Sequence, residues 1–72
     1  MKYILILYLC SFANSTPTVI QEYIKPIEYP TYYDCISDGY ISSYNSLMKI
    51  GVEQVNRQVL AVKFECKEVN TS

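Results

Sequence analysis

The chain has 72 residues, half of them hydrophobic, with six basic and seven acidic side chains and a net charge of −1. A faintly acidic chain argues against a nucleic-acid binder, whose footprint is clustered positive charge. Histidine is absent, which removes the commonest general base and the commonest metal ligand.

The opening stretch, "MKYILILYLCSFANS", divides as a secretory leader does. Lys2 supplies a short basic start, an apolar run extends from Tyr3 to Phe12, and Ala13 and Ser15 stand at −3 and −1 of a cut before Thr16. At about eleven residues the run is too short for a hydrocarbon layer that needs about twenty. The expectation is a cleaved signal peptide over residues 1–15. Two rivals remain, a bacterial lipoprotein processed at Cys10 and an uncleaved leader acting as a weak anchor. The first fits poorly, because large Leu9 occupies the place of the small residue that precedes a lipidated cysteine.

Cleavage leaves 57 residues with five basic and seven acidic side chains, a net charge of −2. No basic amphipathic helix points to a lipid surface. Residues 16–33, "TPTVIQEYIKPIEYPTYY", read as an extended arm, because Pro17, Pro26 and Pro30 remove backbone donors and bias the residue before each toward extended geometry. A helical turn or edge strand near Val19 to Ile24 is the most order expected there. The arm's tyrosines, Tyr23, Tyr29, Tyr32 and Tyr33, are the candidate contact surface for a protein partner, since tyrosine suits interfaces. The alternative is that these rings cover a small core.

From Asp34 the pattern turns helical. Ile36, Tyr40, Tyr44, Leu47 and Met48 recur on one face, Asp34 is a candidate N-cap, Lys49 suits the last turn, and Gly51 stands where a helix closes. A helix over about 35–50 is expected. "VLAVKFECKEV" then alternates, with Leu60, Val62, Phe64 and Cys66 on one side and Ala61, Lys63, Glu65 and Lys67 on the other. The run "LMKIGVEQV" alternates as well and admits a hairpin around Asn56. The reading adopted ends the helix at Gly51, with a short first strand at 52–55 and a second at 59–68.

A domain this short seldom buries enough apolar surface to hold itself together, and exported small domains compensate with disulfides. If Cys10 leaves with the leader, Cys35 and Cys66 are the one remaining pair. Closing the loop between them stabilises by roughly 3–4 kcal/mol on the loop-entropy account. The competing readings of this pair, buried thiols or metal ligands, suit an exported chain without histidine less well.

Catalytic patterns are missing. No Ser-His-Asp or Cys-His constellation can form, and a serine–lysine dyad would need a buried pocket that so short a chain can hardly build. "DCISDGYISSYN" starts like a calcium loop, with Asp34, Asp38 and Gly39 in place, but Ile36 and Asn45 stand where ligands are needed. Neither a metal nor a cofactor is expected. Two N-x-S/T acceptors occur, at Asn14 and Asn70.

The run "CISDGY", then "LMKIG", then "VN", then "LAVKFECKEV" resembles a pattern in small orphan proteins encoded by phages of marine bacteria, over Cys35 to Val69. The resemblance implies export from a bacterial host cell, a Cys35–Cys66 bridge and a helix-plus-strand core. It implies no activity.

The sequence therefore leads to a small single α+β domain over 34–72, preceded by the extended arm. One helix packs on a two-stranded antiparallel sheet or hairpin, stapled by one disulfide. The expected function is a non-catalytic interaction or accessory module, exported to the periplasm or the extracellular space. Its partner is an unknown protein, with no nucleic acid and no stable membrane span after cleavage. A strand edge on so small a domain also invites a homodimer. The alternatives are a membrane-tethered peptide acting on an envelope component and a secreted inhibitor or toxin.

Overall fold

The computed structural model of the protein describes residues 1–13 and 16–69. The expected cleavage point and the acceptors at Asn14 and Asn70 lie outside the described residues. In chain order the elements are β1 (Lys2–Ser11), β2 (Thr18–Tyr29), α1 (Tyr32–Ile50), α2 (Val52–Gln58) and β3 (Leu60–Val69). The three strands form an antiparallel sheet in the order β2-β1-β3.

The architecture is α+β, as expected, with three strands and two helices in place of the two strands and one helix read from the sequence. The apolar opening run is the central strand. A continuous apolar run suits that position, because a central strand can bury both of its faces. Its odd-numbered side chains Leu5 and Leu7 meet Cys35 and Tyr29 in the core under the helices. Ile6 and Cys10 point the other way and are also buried. Of the seven buried apolar residues among those described, four belong to β1.

Within 16–33 the extended part is Thr18–Tyr29, a paired strand rather than a free arm, and Tyr32 and Tyr33 already belong to α1. Pro26 is accommodated on this edge strand, where a missing N–H can face away from the ladder. The pairing with β1 shifts register twice, between Ile4 and Ile6 and between Leu9 and Cys10.

Segment 52–55 belongs to α2 and not to a first strand. β3 pairs with β1 along its whole length, from Ser11↔Leu60 to Lys2↔Val69, so its ladder partner is β1 and not segment 52–55. Gly51 closes α1 and opens α2. It has a positive φ of 95°, its N–H donates to the Leu47 carbonyl, and its carbonyl accepts from Val55. Glu53 in the first turn and Arg57 in the last suit the dipole of α2. Val59 then takes a left-handed conformation, costly for a β-branched residue. Its carbonyl accepts from the Phe12 N–H at 2.9 Å, which ties the end of β1 to the start of β3.

α1 begins three residues before the expected start. Thr31 is its N-cap, accepting from the Asp34 N–H at 3.1 Å, and Asp34 sits in the first turn instead. Cys35 and Cys66 form the disulfide, with Cα atoms 6.1 Å apart. Cys66 lies opposite Leu5 in the β1–β3 ladder, so the bridge fastens the start of α1 to the middle of the core.

The helix turns an unexpected side to the sheet. Its buried residues are Cys35, Gly39 and Ser42, not the Ile36/Tyr40/Tyr44/Leu47/Met48 face. Tyr40, Tyr44 and Met48 are exposed. Small side chains let the helix approach closely. A Cβ at Gly39 would run into the Phe64 ring, which Tyr40 holds edge-on with centroids 5.0 Å apart.

Two outcomes follow from this packing. A chain beginning at Thr16 loses the strand to which both β2 and β3 pair, and it should show no cooperative thermal transition by circular dichroism. A sharp melt from that chain would refute the central role of β1. Gly39→Ala should lower stability by about 1–3 kcal/mol in denaturant titration through overpacking, although alanine normally favours a helix by about 1 kcal/mol over glycine. A neutral or stabilising result would mean that the helix and Phe64 are not in tight contact.

Candidate interaction surface

The position of α1 is fixed at one end by the disulfide and along its flank by a polar cluster. The Lys25 ammonium lies 2.8 Å from Oδ2 of Asp38, and the Tyr29 hydroxyl donates to the same oxygen. Ser42, one turn further along α1, donates to Oδ1 at 3.2 Å. Lys25 and Tyr29 come from β2, so the cluster binds that strand to the helix. The hydrogen bonds from Lys25 and Tyr29 hold the Asp38 carboxyl below the usual aspartate range. Burial, followed by the hydrogen bond to Asp38, pushes the Tyr29 hydroxyl up to about 12.

With its small side on the sheet and its flank on β2, α1 turns its large apolar side chains to solvent. Tyr33, Ile41, Tyr44 and Met48 fall within about a quarter-turn of one another at 3.6 residues per turn, and each is more than half exposed, from 58% to 77%. Tyr40 stands beside them on the β3 side, against Phe64. No charged residue interrupts the stripe. Ser37 lies within the same arc, and Asp34 and Asn45 border it on one side.

The four candidate contact tyrosines do not form one patch. Tyr29 is buried, and its hydroxyl is committed to Asp38; it belongs to the fold and not to a contact surface. Tyr32 packs edge-on against Tyr3 with centroids 5.5 Å apart, while Tyr33 is the most exposed of the set. Tyr23 is exposed on β2 and lines a hollow with Ser46 and Lys49, roughly 20 Å along the helix from Tyr33 at 1.5 Å per residue. Only Tyr33 joins the stripe. Of the other members, Tyr44 and Met48 belong to the helix face expected in the core, and Ile41 falls outside that face. The spacing of Cys35, Gly39, Ser42 and Ser46 is the pattern that identifies the packed side.

The hollow beside Tyr23 has a volume of about 310 Å³ and lies between the sheet and the second half of α1, where Ser46 leaves space. Leu7, Leu9, Ile50 and Val62 make it apolar, and Lys49 is the sole charged side chain on its wall. Its titratable lining is limited to Tyr23 and Lys49. Among the described residues no group of three or more Cys, Asp or Glu side chains is placed to hold a metal ion, and no helix is long and apolar enough to cross a membrane. No protein-family model, no curated protein and no solved structure matches the chain.

The polar cluster makes stability depend on pH at both extremes. Asp38 has a lowered pKa in the fold, so its contribution is present above the unfolded carboxyl value and is lost as pH falls through the folded one. Tyr29 has a raised pKa, so its contribution is present below the ordinary value near 10 and is lost as pH rises from there toward about 12. Denaturant titrations across pH should therefore show a shallower alkaline limb in Tyr29→Phe and a shallower acid limb in Asp38→Asn. Wild-type slopes in both variants would mean that the cluster does not form in solution.

Proposed function

We propose that this protein is a non-catalytic contact module of an oxidising compartment that engages a protein partner through the outward side of α1. The observation that carries the reading is the uncharged stripe of Tyr33, Ile41, Tyr44 and Met48. Single exposed apolar residues are ordinary, but a contiguous run on so small a body marks a contact site. Tyrosine and methionine are enriched at such interfaces, where the ring buries its area and the hydroxyl keeps a polar partner.

A protein partner accounts for the stripe better than a lipid surface does. Helices that lie on membranes carry lysine and arginine on their polar side, whereas the sides of α1 beside the stripe carry serines, Asn45, Asp34 and Asp38, with Lys49 the one cation of the helix. The partner's complementary patch is apolar and offers hydrogen-bond acceptors to the tyrosine hydroxyls. The disulfide between Cys35 and Cys66 favours an exported setting, because such bonds persist where thiols are not kept reduced. Catalysis finds no support in the arrangement of titratable groups.

A photo-crosslinking residue at Tyr44, in the full chain expressed in its own cells, should yield one discrete adduct with another protein. The same residue at Glu22, opposite Tyr8 on the other side of the sheet, should not. With the captured partner purified, Ile41→Ser/Tyr44→Ser should weaken binding by about thirtyfold, the loss typical of a central contact residue. Its melting temperature should stay near wild type, because exposed substitutions cost little. Equal adducts from both positions, or undiminished binding by the double variant, would defeat the reading.

A further inference from the structure

The two edges of the sheet are not equivalent. The outer edge of β2 carries Pro26, which has no N–H to offer, and the strand is interrupted by two register shifts. Both are devices by which natural sheets discourage pairing at an edge. β3 has neither. It runs for ten residues without proline, keeps one register against β1 throughout, and among the described residues no strand lies on its far side.

The sequence of β3 fits a second copy of itself. In an antiparallel pair with Phe64 opposite Phe64, Lys63 of each copy stands opposite Glu65 of the other, directly across the new ladder. Moving the register by two residues in one direction sets Glu65 against Glu65 and Lys63 against Lys67. A further two-residue shift pairs Glu65 with Lys67 but leaves Lys63 opposite Val69, so only the first alignment matches both Lys63 and Glu65. On the helix side it places Phe64 of the two copies together at the two-fold axis. Each ring is already flanked by Tyr40, which is 67% exposed. The edge thus offers open backbone groups, matched charges on one face and aromatic cover on the other.

We infer that the protein forms a homodimer by antiparallel pairing of the β3 edges, centred on Phe64, giving a continuous six-stranded sheet. This goes beyond the α1 contact reading and is independent of it, since Lys63 and Glu65 lie on the side of the sheet away from the helices.

The test exploits the charge pattern. Sedimentation equilibrium of the full chain over a concentration series should give a dimer for wild type. Lys63→Glu and Glu65→Lys should each raise the dissociation constant by at least about tenfold, because two attractive pairs become two repulsive ones. Mixed in equal amounts, the two variants should dimerise with each other, because each supplies the charge the other lacks. The double variant K63E/E65K should dimerise alone, which also controls for folding. A monomeric wild type, single variants that self-associate as wild type does, or a mixture that stays monomeric would each overturn the inference.

Discussion

Everything in this fold is arranged around one strand that is paired on both edges and packed under the helix α1 on one face. β1 supplies the only ladder that β2 and β3 share, and those two strands make no ladder with each other. Ten consecutive residues with hardly a polar side chain between Lys2 and Ser11 have no solvent face to offer, so the interior of a sheet is where they settle. From that placement the rest follows. β3 spends its inner edge on β1, and segment 52–55 belongs to α2. The disulfide closes across Leu5, and α1 is drawn onto the ladder it staples.

The helix inverts the usual amphipathic arrangement, and the cause lies in distance. A bridge from Cys35 to a strand residue brings the helix near the sheet at that point, and a neighbouring turn of similar height must follow. Gly39 and Ser42 supply it, with Phe64 filling the space a larger side chain would need. The polar cluster of Lys25, Tyr29 and Asp38 then fixes rotation about the helix axis. With rotation and height both set, Tyr33, Ile41, Tyr44 and Met48 have no route to the core. Their exposure is a consequence of the staple, and a contact function is the use to which such a side can be put.

The period-two alternation of Leu60 to Lys67 identified β3 and its inward residues, since a half-buried strand writes its faces directly into the sequence. Gly51 marked the end of α1, and the pairing of Cys35 with Cys66 followed from there being two cysteines beyond the leader. The orientation of α1 was not legible in the same way. Hydrophobicity assigns the large apolar side inward, while close packing against a strand selects the small side. Nor was the strand identity of residues 2–11, because a continuous apolar run of that length satisfies the description of a leader as well as that of a central strand. Tyr29 was read with its neighbours as a contact residue. Its distinction is a hydrogen bond to a residue nine positions away, which no local pattern announces.

The two descriptions of residues 2–11 make opposite demands on the same atoms. A leader removed before Thr16 cannot also pair with Leu60–Val69, so a chain with this sheet retains its opening stretch, and a chain without it has β2 and β3 facing a gap. The covalent staple is indifferent to that choice. Cys35 and Cys66 join α1 to β3 and leave β1 out. Oxidation would therefore keep the helix on its strand even where the central ladder was absent, holding the inward side chains of β3, Leu60, Val62 and Phe64, in register for whatever strand lies beside them. Cys35 packs on Leu5 and Cys66 lies opposite it, yet the bond itself runs from α1 to β3 without passing through β1, so it outlasts the displacement of that strand.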